Sequence, residues 1–279
     1  MGLKPRQEAQ RRNLFLYVLL TVGGFLILAP FVWTLLTSFK TPPEIQRLPP
    51  SILPDQWHLS NYATVFQRLP FLRFMLNSAV VTAISVLVSL FLASLAGYGF
   101  AKFDFPLKNV VFFAIISLLM IPFQAIVVPL YLWAARLGWV NTYQGLLMPT
   151  LVSAFGVYLM REAIEAIPGD YFDAARIDGC SELRIYWTIV LPFIRPALAA
   201  LGIIKFLWTW NEFFWPLVIT STDSMKVVTM GLSEFTNMYF IEYHLATAAS
   251  IISIIPVVVV FLLLQQWVVK AITLSGLKG

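Results

Sequence analysis

The chain has 279 residues, 59% of them hydrophobic and only 12% charged, with a mean hydropathy of +0.80. Soluble domains run nearer about 45–50% apolar, so these totals exclude an ordinary soluble globular protein, and the single cysteine, Cys180, excludes a disulfide framework or a cysteine-built metal site. The net charge of +5 comes from Lys and Arg scattered among apolar runs, which speaks against a nucleic-acid-binding face and for a charge asymmetry between the two sides of a bilayer.

A bilayer core takes roughly 20 apolar residues in helical form. Six windows approach that length, near 14–36, 76–98, 110–133, 143–160, 198–219 and 247–269. They predict an all-α polytopic membrane protein of six transmembrane helices with both termini on one side. The first window has too long an apolar run for a secretory leader and no small-residue cleavage site after it, so it reads as a retained span. With the N-terminus inside, the inner segments carry twelve Lys and Arg and the outer loops six, with Lys205 left inside a span. That bias predicts cytoplasmic termini. The outer loop "KTPPEIQRLPPSILPDQWHLSNY" is long and rich in proline, and reads as an ordered but irregular cap over the outer mouth. The prolines at 122, 129, 149, 216 and 256 are places where spans can bend.

Residues 161–195 fall between the fourth and fifth spans and gather Asp173, Arg176, Asp178, Glu182 and Arg184 within a dozen positions. Pro168-Gly169 breaks the exit from span four; Asp170 is placed to cap a new helix, with Asp173 as the acidic partner of a capping box. Gly179 is the expected stop of that helix. Ser181 can cap a second helix, "ELRIYWTIV", running to Pro192, and Pro196 suits the first turn of span five. A helix of about eight residues is marginal alone, so the first one needs something packed on it. On these grounds it is either a solvated loop or a docking element, with Ala174, Ala175 and Gly179 allowing close approach.

The stretch "DAARIDGCSELRIYWTIVLPFIRP" resembles the cytoplasmic motif of ATP-binding-cassette (ABC) importer permeases: Glu-Ala-Ala, then Asp-Gly, then Leu-Pro. The matching positions are Asp173, Ala174, Ala175, Asp178, Gly179, Leu191 and Pro192, with Asp173 in place of Glu and Cys180 in place of the usual Ala. "PFLRFMLNS", "WNEFFWPLVI" and the C-terminal "AITLSGLKG" are similar to the carbohydrate branch, in particular the second membrane subunit of maltose-type systems. The resemblance implies a type I ABC importer permease fold in a bacterial inner membrane. It divides the chain into a tail, first helix and external loop (1–70), a permease core (71–270, with the coupling segment at 168–192) and a cytoplasmic tail (271–279). It also implies a second permease subunit, two ATP-binding subunits that hold ATP and Mg, an extracytoplasmic solute-binding protein, and no cofactor bound by this chain.

Span five carries Lys205, Asn211 and Glu212. Its eleven Leu, Ile, Val and Phe residues between 198 and 219 favour insertion by about 0.3–0.6 kcal/mol each, roughly 3–7 in all, while two charges cost roughly 5–7. The isolated helix is therefore close to neutral, and its polar face must turn to protein or water. Lys205 and Glu212 share a face but stand about 10 Å apart along the axis, too far for a direct ion pair. Asn211 and Glu212 either line the translocation path or fix helix packing. Trp208, Trp210 and Trp215 either stack on sugar or serve as packing and interface anchors. No G-x-x-x-x-G-K-[ST] loop, catalytic triad or metal-ligand cluster stands out, so an enzyme is not expected. The alternative function is an ion-coupled secondary transporter or channel using Lys205 and Glu212.

Overall fold

In the computed structural model, described over residues 5–236 and 241–276 with side chains from 13 to 236 and 241 to 265, every regular element is a helix and the described residues contain no strand beyond one isolated bridge, Thr236 to Ile241. The elements in chain order are α1 (Pro5–Thr37), α2 (Pro42–Ile45), α3 (Ser60–Arg68), α4 (Phe71–Lys102), α5 (Lys108–Ser117), α6 (Phe123–Arg136), α7 (Tyr143–Leu147), α8 (Ala154–Glu165), α9 (Gly169–Ile177), α10 (Glu182–Ile185), α11 (Leu191–Phe193), α12 (Arg195–Trp210), α13 (Phe214–Ile219), α14 (Val228–Glu234) and α15 (Tyr243–Gly276). A 3₁₀ turn at Leu118–Met120 follows α5, and a π turn at Tyr186–Val190 joins α10 to α11.

Three described helices are long and apolar enough to cross a membrane: Asn13–Thr37 within α1, α4, and Tyr243–Gln265 within α15. The bent pairs Lys108–Met120 with Phe123–Arg136 (103°) and Glu182–Phe193 with Arg195–Trp210 (76°) bring the number to five if each is one broken span. The windows at 110–133, 143–160 and 198–219 are thus not continuous helices. The backbone breaks at Ile121–Pro122, around Pro149 and at Asn211–Phe213. At the first two, proline removes a donor; before Pro122 it also pushes the preceding residue out of helical geometry, Ile121 being extended at φ −86, ψ 115, whereas Met148 before Pro149 stays helical at φ −44, ψ −52. Pro129 and Pro256, by contrast, lie inside α6 and α15. The expected tail from Ala271 remains helical as far as Gly276; Leu277 to Gly279 lie outside the described residues.

The described chain divides into two units. One comprises residues up to 69 together with 232–254. Between Asn13 and Leu36 no side chain of α1 is buried, and a helix apolar on every side is suited to lipid. The proline-rich loop after it is irregular but internally bonded, as expected. Asn61 Nδ2 donates to the Ser38 and Lys40 carbonyls at 2.9 and 3.0 Å, the Ser38 and Tyr62 hydroxyls meet at 2.7 Å, and Glu44 Oε1 accepts from the Asp55 amide at 2.7 Å.

The other unit, residues 70–231 with 255–279, is organised around α4. One face of α4 presents small or polar side chains, Asn77, Ser78, Thr82, Ser85, Ser89, Ala93, Ser94 and Gly97, all buried. In lipid, helices associate through close backbone approach and interhelical hydrogen bonds rather than by excluding water. Here Gly97 lies against Met160 and Arg161, and Gly156 against Ala93, where α4 crosses α8. Two apolar clusters flank this axis. Tyr98, Phe112, Met160, Ile164, Phe172, Ile185, Tyr186 and Leu201 form one, and Val81, Val127, Leu146, Trp215, Ile219 and Met225 form the other.

Candidate functional site

The charged segment after α8 folds as two short helices around a glycine turn. Gly179 adopts φ +75, the left-handed conformation that an L side chain resists, and the Cys180 amide donates back to the Ala175 carbonyl at 2.9 Å. Ser181 caps α10, its hydroxyl accepting from the Arg184 amide at 3.4 Å. The N-terminus of α9 differs from expectation. The capping position is Pro168, which makes no side-chain cap bond, and Asp170 lies inside the first turn. There its charge still faces the positive end of the helix dipole. The second helix runs into the π turn before Pro192. Proline supplies no N–H to the Thr188 carbonyl and its ring would crowd that carbonyl; the wider turn ahead of it, closed by Leu191 N–H to Tyr186 C=O, accommodates both constraints.

The side chains of α9 divide into two faces. Phe172 and Ala175 are buried, whereas Asp173, Ala174 and Ile177 are exposed, Ile177 at 85%, as are Asp178 and Gly179 just past its end. The small residues are therefore not one surface: Ala174 and Gly179 face outward and Ala175 packs inward. Leu191 and Pro192 are half-buried beyond the π turn. Arg176 sits at the junction, 3.6 Å from Asp173 and, through Nε, 2.8 Å from Glu182 Oε1. The hydrogen bond to Glu182 raises the Arg176 guanidinium above its ordinary pKa. On the buried side Phe172 stacks beneath Tyr98 of α4, and the Lys102 ammonium lies 4.5 Å from the Phe172 ring while donating to the Ile167 carbonyl at 2.8 Å.

Asn211 and Glu212 lie at the break between α12 and α13. Glu212 Oε1 accepts from the amides of Phe214 and Trp215 at 2.9 and 3.2 Å, and its carbonyl accepts from the Thr229 hydroxyl at 2.7 Å. The carboxylate thus satisfies the first donors of α13. Asn211 Nδ2 turns back to the Leu207 carbonyl at 2.8 Å. Lys205 is 7% exposed and makes no ion pair among the described residues, with Glu212 or any other, as the axial separation required. Trp215 is buried, its indole N–H donating to the Gly145 carbonyl at 2.9 Å, and Trp210 is buried with its ring 5.7 Å from Phe206. Both are packing residues, and Trp208 alone of the three is exposed.

Sequence reasoning missed the polar ties to α4. Asn77 is fully buried, donating through Nδ2 to the carbonyls of Ser224 and Lys226 at 2.9 and 2.7 Å and accepting from the Tyr143 hydroxyl at 2.6 Å. The signal available was an amide within an apolar helix. Its partners, 66 residues downstream at Tyr143 and 147 and 149 downstream at Ser224 and Lys226, carry no local mark.

The described chain is an all-helical component with three to five candidate membrane spans, and the polar side chains traced above serve helix packing and a short charged segment. The match to known proteins places it further. Residues 85–274 match the family described as "Binding-protein-dependent transport system inner membrane component", and the chain belongs to that family. It is 32% identical over 268 residues to the arabinooligosaccharides transport system permease protein AraQ of Halalkalibacterium halodurans, covering 94% of this chain and 96% of that one. It is 30% identical over 254 residues to the lactose transport system permease protein LacG of Rhizobium radiobacter, covering 91% and 92%. Its fold superposes with a TM-score of 0.81 on a chain of a bacterial ABC transporter involved in the import of the acidic polysaccharide alginate, at 24% identity, over 96% of this chain and all of that one.

Proposed function

We propose that this chain is one of two non-identical permeases of an ATP-driven importer that carries a carbohydrate, or a related polyol or sugar derivative, into the cytoplasm by alternating access. One observation carries the reading. The segment with the Asp-Ala-Ala and Asp-Gly positions is a separate short helix, exposed along Ala174, Ile177, Asp178 and Gly179 and tied on its other face to α4. A helix that short is marginal alone; packing on Phe172 and Ala175 holds it and leaves the other face open, and an ATP-binding subunit is the partner the motif implies. The solutes named for the relatives, arabinooligosaccharides and lactose, support the carbohydrate class.

In this reading the six hydropathy windows are six passages through a bacterial inner membrane, with both termini and the 168–192 segment in the cytoplasm. Residues 71–270 are the permease core, preceded by an N-terminal helix and external loop and followed by a short tail. Asp173, Ala174, Ala175, Asp178, Gly179, Leu191 and Pro192 couple the chain to two ATPase subunits, which hold the ATP and Mg. A solute-binding protein delivers from outside. Irregular backbone at membrane depth is tolerated only where protein or a water-filled cavity covers it, so the break at Asn211 and Glu212 turns away from lipid, toward neighbouring helices or the path.

The test is reconstitution. Co-expressed with a second permease, the ATPase and the binding protein, the chain should purify as a complex and accumulate labelled oligosaccharide in vesicles only when ATP is supplied. Solute movement by the chain alone, driven by an ion gradient with no ATPase present, would overturn the proposal.

A further inference from the structure

Tyr98 lies one turn before the end of α4 and is 4% exposed. Its ring is enclosed by Phe172, Tyr186 and Phe103 at centroid distances of 6.2, 6.0 and 5.2 Å, and its hydroxyl donates to Glu182 Oε2 at 2.5 Å. The other oxygen of the same carboxylate accepts from Arg176 Nε at 2.8 Å. Glu182 stands at the first position of α10 and Arg176 in the last turn of α9. The Gly179 turn between them folds the two helices back far enough for residues six apart to meet. One carboxylate is therefore shared by a long membrane helix and the short exposed helix.

Other contacts tie α4 to the flanking segments: Ser94 to the Tyr186 hydroxyl of the π turn at 2.7 Å, and Lys102 to the Ile167 carbonyl ahead of α9 at 2.8 Å. Apolar packing such as Phe172 against Tyr98 is non-directional and resists separation more than sliding. A charge-assisted pair of bonds on one carboxylate fixes direction as well as distance. The Arg176 and Glu182 side chains are 41% and 40% exposed, and ion pairs that wet add little to folding stability. A bond arrangement weak as a stabiliser and specific in geometry is suited to transmitting displacement.

We propose that Tyr98 is a positioning residue: through Glu182 and Arg176 it clamps α9 to α4, so that displacement of α9 is delivered to a membrane-spanning helix instead of being lost as slip. The proposal rests on the reading of α9 as the ATPase-coupling helix.

The experiment uses the complete reconstituted transporter with Tyr98→Phe, Glu182→Gln and the double variant, and measures solute moved per ATP hydrolysed alongside the yield of assembled complex. Tyr98→Phe keeps the ring and its packing and removes one oxygen. We expect wild-type assembly, a fall of about tenfold in solute per ATP for each single variant, and a double variant no worse than the poorer single, as for groups acting on one linkage. An unchanged ratio in Tyr98→Phe overturns the proposal. So does a double variant whose defects multiply, and so does loss of the assembled complex in Tyr98→Phe, which would assign the bond to folding. Failure of the coupling reading itself appears separately: the wild-type chain then recruits no ATPase or moves no carbohydrate with ATP.

Discussion

Gly97 and Met160 meet where α4 crosses α8 with no room for a methyl group between them: a Cβ on Gly97 would stand 2.7 Å from that of Met160 and 2.8 Å from the Arg161 amide nitrogen. The obstruction is backbone and the root of a side chain, neither of which can swing aside. Gly97→Ala should therefore separate the two helices and cost about 1–3 kcal/mol, as overpacked cores do, and Gly97→Leu should prevent accumulation of folded protein. Thermal unfolding in detergent, compared with the neighbouring Gly99→Ala, checks this; Gly99 has open space, so its substitution should leave the midpoint unchanged.

At Gly179 the constraint is of another kind. Nothing lies within 4 Å of a Cβ there, yet φ is +75. The penalty for a substitution is then the left-handed backbone alone, about 1–2 kcal/mol for an ordinary side chain and less for Asn. Gly179→Val should weaken both the thermal stability of the segment and recovery of the ATPase subunit on affinity resin, with Gly179→Asn close to wild type. If Val and Asn behave alike, the turn is not what shapes the segment.

Asn77 joins three parts of its unit, α4, the stretch 224–226 and Tyr143 of α7, through one buried amide. Asn77→Ala strands two carbonyls and a hydroxyl and should cost about 1–3 kcal/mol, the penalty of buried groups left unpaired. Asn77→Asp removes the donors and adds a buried charge, so it should be worse. The order wild type, Ala, Asp in detergent midpoints is the expected result. Equal midpoints for the two variants would show that the carbonyls find other donors.

What local sequence could and could not disclose follows from the range of each interaction. The glycine stop at 179 and the Ser181 cap are set by residues within four positions and were readable as such. Hydropathy windows found the apolar stretches but counted composition, so they could not register that 110–133, 143–160 and 198–219 are each broken; Pro122 and Pro149 marked two of those breaks, while the third, at Asn211–Phe213, carries no proline. Ala174, Ala175 and Gly179 read alike in the sequence as small residues, and only tertiary packing decides that Ala175 turns in while Ala174 and Gly179 stay exposed. Tyr98 with Glu182, 84 residues apart, and Asn77 with Ser224 and Lys226 are pairings made by the fold.

Lys205 and Glu212 distinguish a permease from an ion-coupled carrier most directly. Lys205 is buried and without an ion pair among the described residues, so Lys205→Met removes a charge that costs about 2.5–3.5 kcal/mol at the centre of a membrane helix and breaks no bridge. The variant should accumulate at least as well as wild type and keep ATP-driven uptake. Glu212 works through one oxygen that accepts two α13 amides. Glu212→Gln retains a carbonyl acceptor and should preserve most of the stability, whereas Glu212→Ala leaves both amides unsatisfied at about 1–2 kcal/mol, the usual cost of a lost cap. An ion-coupled carrier predicts a different ranking: there both Lys205→Met and Glu212→Gln abolish transport while folding normally. Uptake assays and detergent unfolding on the same three variants separate the two outcomes, because capping orders the Glu212 variants by stability and ion coupling orders them by charge.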